Sequence, residues 1–401
     1  MEMWKNCTLA DLGDVVGGAT PSTKVKENYD GGTIPWITPK DLAGFQGRFI
    51  SRGERNITEQ GLRSCSTQIM PKDTVLFSSR APIGYVAIAK TELCTNQGFK
   101  SIVPNANTDP LFLYYLLVYN KDRIENMGVG TTFKEVSTTI MKGISVRVPK
   151  DISYQRYIAN TLSMLDERIE CNHAINKNLE EQAQVIFDME FVEKNKSDSK
   201  NQKGWRNGCL SDIAQTIVCG KTPSTKKSDY YGEDMPFITI PDMYNSVYIT
   251  KTTRRLSMLG INSQKNKILP SNSVCVSCIG TVGLVSLVAE PSQTNQQINT
   301  IIPLEDISSY FIFFLLKSLS NKIQNLGASG STIPNLNKSQ FSEIEIMIPP
   351  KTLLEEFDSV VAPFFKAILE HQYQIEYLSI LRDTLLPRLM SGEIDVSDIA
   401  L

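Results

Sequence analysis

Gly18-Ala-Thr-Pro21-Ser22-Thr23-Lys24 returns about 200 residues later as Gly220-Lys-Thr-Pro223-Ser224-Thr225-Lys226. Working outward, Ile34-Pro35-Trp36-Ile37-Thr38 with Asp41 is echoed by Met235-Pro236-Phe237-Ile238-Thr239 with Asp242. Ile83-Gly84-Tyr85-Val86 is matched by Val282-Gly283-Leu284-Val285, and Thr95-Asn96-Gln97 by Thr294-Asn295-Gln296. The offset stays between 199 and 202 along the whole match. A period this long is a whole domain used twice, not a solenoid unit.

Inside each repeat, Pro and Gly punctuate short β-rich runs such as Thr74–Ser78 and Ser273–Ser277. One short helix is expected over Leu111–Glu125 and its match over Ser309–Gln324. Each repeat closes on a strand ending in proline, at Pro149 and Pro349. The character then changes. From Tyr154 to about Val192 there is neither Pro nor Gly, and Ile158, Leu162, Leu165, Ile169, Leu179, Ala183 and Ile186 keep a three-four spacing. That is the seam of a coiled coil, with Asn172 and Asn176 as polar seam residues able to fix register. The second copy of the seam runs through Leu354, Phe357, Val361, Phe364, Ile368, Ile375, Leu378, Leu385 and Leu389, with His371 and Arg382 within it. Pro363 is expected to kink or restart that helix. A helix of about 39 residues is roughly 58 Å long, more than a single domain needs as a cover. The two helices could each lie on their own repeat. The expectation is that they pair antiparallel, through Ile158, Leu162, Leu165 and Ile169 on one and Phe364, Ile368, Ile375 and Leu378 on the other. The sequence thus divides into repeat one (1–150), helix one (151–195), a polar linker (196–205), repeat two (206–350), and helix two with its tail (351–401). The fold class is α+β: two similar α/β domains with mixed short-strand sheets, joined by a coiled-coil spacer.

At 41% hydrophobic and 21% charged residues, the composition is that of a soluble globular protein. The longest apolar run, Tyr310–Leu316, is far too short to span a bilayer. No secretory signal opens the chain, and eight scattered cysteines fit a reducing cytoplasm. The net charge of −2 conceals a division: repeat one carries +4, repeat two +2 and the linker +2, while each helical segment carries −5. Mildly basic globular units fit a nucleic-acid partner, although ordinary surfaces carry similar excesses. Catalytic constellations do not emerge. His173 and His371, the only histidines, both fall on the helices. Cys275-Val-Ser-Cys278 has metal-like spacing but no second ligand pair. There is no phosphate loop and no nucleophile elbow, and the glycine pair Gly128-Val-Gly130 precedes only Thr131-Thr132. No metal and no cofactor of the chain's own is expected.

What the repeats do offer is polar and cationic side chains on loops. Lys24, Lys26, Thr38, Lys40, Arg48, Arg52, Arg55, Arg63 and Arg80 are candidates in repeat one. Lys226, Lys227, Thr239, Lys251, Arg254, Arg255 and Thr281 are candidates in repeat two. Such residues either form a solvated face or contact phosphates and base edges. The loops 48–63 and 251–267 diverge between the repeats and are the better candidates for specificity. Thr95/Thr294, Asn96/Asn295 and Gln97/Gln296 are shared and are expected to be structural.

Taken together, the chain resembles the specificity subunit of type I restriction-modification systems. The resemblance rests on Gly18–Thr23, Ile34–Thr38, Arg80-Ala-Pro-Ile-Gly84, Thr95-Asn-Gln-Gly-Phe99, Gln155 with Ile158-Ala159, Leu162–Asp166 and Leu386-Pro-Arg-Leu-Met-Ser-Gly-Glu-Ile394, in this order around two long helices. Repeat two departs from it where Cys278-Ile-Gly280 replaces Arg80-Ala-Pro82. The resemblance implies two target-recognition domains, each reading half of a split site on double-stranded DNA. It implies helices that dock methyltransferase subunits, and motor-nuclease (restriction) subunits that complete the complex. S-adenosylmethionine, ATP and magnesium would belong to those partners. The alternatives are an orphan or decoy DNA-binding protein without a methylase, and a duplicated scaffold that binds protein.

Overall fold

The duplication read from the sequence is a duplication of topology. In the computed structural model, which describes residues 3–130, 134–193, 204–328 and 334–395, the chain divides into two units. One comprises Met1–Glu170 with Tyr377–Leu401, the other Cys171–Glu376. The division falls within both long helices. The linker expected over 196–205 lies outside the described residues except for its last two, as do 396–401 of the final segment and Thr131-Thr132.

In the first unit the strands are β1 (Trp4–Thr8), β2 (Gly13–Gly17), β3 (Ile34–Ile37), β4 (Phe49–Ile50), β5 (Arg55–Ile57), β6 (Val75–Ser79), β7 (Ile83–Ala89), β8 (Cys94–Thr95), β9 (Lys100–Pro104) and β10 (Ser145–Pro149). They build a five-stranded sheet of order β2-β9-β6-β7-β4, a three-stranded sheet β5-β3-β8 and a pair β1-β10. Only β4–β7 and β3–β8 are parallel. In the second unit, β11 (Arg206–Cys209), β12 (Ala214–Cys219), β13 (Tyr231–Ile238), β14 (Tyr248–Ile249), β15 (Arg254–Leu256), β16 (Val274–Ser277), β17 (Val285–Val288), β18 (Gln293–Thr294), β19 (Ile298–Pro303) and β20 (Glu345–Ile348) repeat this plan. Its sheets are β12-β19-β16-β17-β14, β15-β13-β18 and β11-β20. The central strands β6 and β16 (Val274–Ser277) are buried along their whole length, as a strand covered on both faces requires. Pairing of β1 with β10 sets Trp4 opposite Pro149, and pairing of β11 with β20 sets Arg206 opposite Ile348. Each repeat therefore starts and finishes on adjacent strands.

The single helix expected after each main sheet is two helices. Pro110–Tyr119 is followed by Lys121–Asn126, and Ser309–Ser318 by Ser320–Ala328. The breaks fall at Asn120 and Leu319, which share φ near −90° and ψ near 0°. Packing imposes the turn, because each second helix brings one isoleucine, Ile124 or Ile323, fully into the core. Local propensity had favoured continuing.

The first long helix spans Ile152–Phe187 and continues as a π-helical stretch, Asp188–Glu193. The second spans Lys351–Ser391 without interruption. Pro363 neither ends nor restarts it: the residue is exposed, so its ring meets solvent and only one hydrogen bond on the open side is forfeited. Within each unit the helices run antiparallel. In the first, Tyr154 hydrogen-bonds Asp395 and Asp166 binds Arg382. In the second, Asn172 pairs with Gln374, and Asn176 with His371.

Helix pairing and covering of the repeats, weighed as alternatives from the sequence, both occur. Ile158, Ala159 and Leu162 enter one core with Phe112, Leu116, Leu386 and Leu389. Ala183, Phe187, Phe357, Val361 and Phe365 enter another with Phe311 and Phe314. In this second core Phe365 takes the fully buried position and Phe364 is only half-buried. The seam slips by one residue there because Phe365 stacks on Tyr310 of its own domain.

Candidate nucleic-acid interface

Gly18 follows β2 and crosses the backbone of Thr95 and Asn96. A Cβ at this position would lie 2.1 Å from the Asn96 carbonyl oxygen, and at Gly220 it would lie 2.1 Å from that of Asn295. Only glycine lets the turn pass so low. Beyond the crossing, side chains grip the turn. The Trp36 indole donates to the Ala19 carbonyl at 3.1 Å, Tyr29 to that of Pro21 at 2.7 Å, and Asn28 to that of Ser22 at 3.0 Å. Thr20 donates to the Gln97 side chain. In the second unit Thr222 donates to Gln296 at 2.5 Å and Tyr231 to the Pro223 carbonyl at 2.9 Å. Asn96 and Asn295 accept from the backbone amides of Gly98 and Gln297. The residues shared by the repeats thus hold the turn in shape.

The cations stand around this frame. Lys24 and Lys26 are exposed on the gripped turn and the short 3-10 helix that follows it. The helix Glu59–Arg63 packs against that 3-10 element, with Gly61 lying over the Asn28 carbonyl. Arg55, on the edge strand β5, and Arg63, at the end of this helix, are exposed. Arg52 is exposed nearby in sequence. Lys40, also exposed, pairs with Glu54 at 2.7 Å, and that hydrogen bond holds the Glu54 carboxyl below its ordinary range. In the second unit Lys226, Lys251 and Arg254 are exposed. Lys227 lies over the Tyr230 ring at 5.0 Å. Arg255 is drawn down by Glu290 at 3.3 Å and Glu233 at 3.9 Å. Thr281 shares a hydrogen bond of 3.0 Å with the Tyr244 hydroxyl.

Three candidates have structural work instead. Arg48 is 4% exposed. Its guanidinium donates to Glu170 at 3.0 and 3.3 Å and to Ser163 at 2.7 Å. Burial works to lower its pKa, yet the Glu170 hydrogen bond and surrounding negative charge hold it above the ordinary value. No phosphate can reach it. Thr38 and Thr239 are helix caps: their hydroxyls donate to Asp41 at 2.7 Å and Asp242 at 2.6 Å, and their amides go to the same carboxylates. The cysteine pair is core: Cys275 contacts Thr300, Cys278 the Val276 carbonyl, and burial pushes both thiols up to about 12. Among the described residues no cluster of histidine, cysteine and carboxylates suits a metal ion.

The register of the one marked divergence also changes. Arg80 bridges Glu135 in the first unit, while Ile279 bridges Asn335 in the second. Ile279, not Cys278, therefore stands where Arg80 does. Exposed apolar side chains that the sequence left unremarked are Met258 and Leu259, on the short helix Met258–Asn262 of the second unit. The only sequence signal for them was two apolar residues directly after a serine cap.

On the helices, Ile158, Leu162, Ile169 and Ile368 are buried, and Leu165, Phe364, Ile375 and Leu378 half-buried. Ile158 and Leu162 pack into the first unit's core, and Ile368 with Phe364 into the second's. On the long helices of the first unit, the exposed large apolar residues are Tyr157, Met164, Tyr377 and Ile380. His371 accepts or donates at 2.8 Å with Asn176, and burial lowers the pKa of His173. No helix among the described residues is long and apolar enough to cross a membrane.

Fold and site together define a duplicated α+β protein with cationic loops around turns shared by the two repeats and a pair of long helices. Residues 1–181 and 202–376 match the type I restriction modification DNA specificity domain, and the chain belongs to that family. It is 35% identical over 416 residues to the type I restriction enzyme MjaIX specificity subunit of Methanocaldococcus jannaschii, covering 99% of this chain and 94% of that one. It is 34% identical over 474 residues to the HindI specificity subunit of Haemophilus influenzae, covering 98% and 100%. Among solved structures, the S subunit of a type I restriction-modification system from M. genitalium superposes with a TM-score of 0.62 at 18% identity, covering 96% of each chain, which shows a common fold.

Proposed function

We propose that this chain is the recognition subunit of a type I restriction-modification complex. Each repeat reads one half of a bipartite DNA site. The long helices set the gap between the halves and dock methyltransferase subunits, and motor-nuclease subunits complete the assembly. The observation that carries this reading is a division of labour within one repeated topology. Residues common to both repeats hold the Gly18 and Gly220 turns, while other exposed cations, such as Arg52, Arg63 and Lys251, lie on segments whose sequences differ between the repeats. Two copies of one scaffold with different loops suit two different half-sites. The exposed Tyr157, Met164, Tyr377 and Ile380 support docking of a protein partner along the helices, since aromatic and Met side chains are favoured at interface centres.

By this reading the chain performs no chemistry. Methyl transfer from S-adenosylmethionine, and ATP- and magnesium-dependent cleavage, belong to the partner subunits, in the cytoplasm where the duplex is. Neither an orphan decoy nor a protein-binding scaffold is favoured by the family match over both repeats. A scaffold would also lack the steep loss of affinity with salt that phosphate contacts impose.

The test is an exchange. Residues 206–350 are replaced by those of a relative with a different motif, and methylated adenines are mapped in cells carrying the partners. One half of the motif changes and the other stays. Change in both halves, or in neither, refutes the assignment.

A further inference from the structure

In the first unit, Arg80 and Glu135 face each other across a backbone bridge, and Val136 donates to the Ser79 carbonyl at 3.0 Å beside it. The Glu135 carboxylate lies 3.9 Å from the Arg80 guanidinium and 3.4 Å from the Lys100 ammonium. Lys100 stands opposite Gly17 in the β2–β9 ladder, one residue before the Gly18 turn. The cluster therefore abuts the gripped turn of the proposed DNA surface. Two cations share one carboxylate, so the site carries an unneutralised positive charge.

The two cations are not alike. The Lys100 side chain is 10% exposed, and a charge so enclosed needs its partner. The Arg80 side chain is 34% exposed. Its guanidinium makes no hydrogen bond among the described residues, only the loose pair at 3.9 Å. Pairs this open are weak and readily exchanged.

The second unit replaces all three charges while retaining the backbone. Ile279 bridges Asn335, Leu336 donates to the Cys278 carbonyl at 2.9 Å, and Asn299 stands opposite Cys219. A neutral trio thus supports the same corner, and the fold does not require the charges. We infer that Arg80 takes one phosphate of the DNA backbone, in the first half of the site only, and that the phosphate displaces its loose pairing with Glu135. Glu135 weakens binding, because its carboxylate competes with the phosphate for the same cation. The inference rests on the DNA reading above and gives the two halves unequal electrostatics.

The test uses the purified full chain and its Arg80→Gln, Arg80→Lys and Glu135→Gln variants. The probe is a duplex bearing the site found by methylation mapping, with companions in which either half is scrambled. Affinity is measured across a salt series, alongside thermal melts. Loss of one phosphate contact lowers the slope of log affinity against log salt by about 0.9. Arg80→Gln is expected to lose that much, and to bind several-fold more weakly only where the first unit's half-site is intact. Arg80→Lys restores the slope, and Glu135→Gln binds more tightly than wild type. An unchanged slope in Arg80→Gln overturns the inference, as does a Glu135→Gln variant that binds no more tightly than wild type. Should Arg80→Gln melt early, the Lys and Glu135 variants decide. Salt-independent binding by the wild type would remove the DNA reading itself, a different failure.

Discussion

Four arginines between positions 48 and 63 look equivalent in the sequence, and one of them is not. Arg48 differs from Arg52, Arg55 and Arg63 because its partner, Glu170, lies 122 residues away, a separation that no local pattern reveals. The second unit makes the same backbone contact, Leu287 to the Val247 carbonyl in place of Ile88 to that of Arg48, but with valine. Around it Phe314 and Phe365 form an aromatic cluster, where the first unit has Tyr115 hydrogen-bonded to Asp166 at 2.6 Å. One joint is ionic and the other apolar. Arg48→Ala strands Glu170 in a partly buried site and is expected to cost about 3–5 kcal/mol of stability, read as a lower denaturation midpoint. Its salt slope on DNA should match wild type, since Arg48 touches no phosphate. The repeat of Gly18 as Gly220 was legible, but the crossing over Thr95 and Asn96 that makes glycine necessary there was not, since its partners lie 77 or more residues away.

At the scale of elements, strands and long helices could be read because their period is local, whereas the ends and breaks could not. The split at Asn120 and the seam position of Phe365 both answer to packing partners distant in sequence. Caps belong here as well. Ser308 begins the helix Ser309–Ser318 by accepting from the amides of Tyr310 and Phe311, and donates its hydroxyl to Asp358 of the second long helix. Burial pushes the Asp358 carboxyl above its ordinary range, against the pull of that hydrogen bond. The native state therefore binds this proton more tightly than the unfolded chain. The stabilisation is complete below the unfolded pKa and is lost as pH rises through the folded one. Asp358→Asn keeps an acceptor for Ser308. It should raise the melting temperature at pH 7 and lose this advantage near pH 3, which a pH series of melts would show.

Across the whole molecule, the duplication was legible because two copies confirm each other, and the mixed sheets followed from it. Which of the candidate cations are exposed was only half legible, since exposure and ion pairing depend on the third dimension. If the helices set the gap, one heptad added to each at matched positions lengthens them by about 10 Å, roughly three base pairs. Methylation mapping should then show both half-sites unchanged and a longer interval between them. A heptad in one helix alone displaces Asn172 from Gln374 and Asn176 from His371, and should abolish methylation. The pairing of β1 with β10 and of β11 with β20 has a consequence for inheritance. Because each repeat enters and leaves through neighbouring strands, recombination can replace everything between them and leave the helices as they were. On the proposed function, a lineage could then rewrite half of its DNA address in one genetic event while the helical frame stayed unaltered.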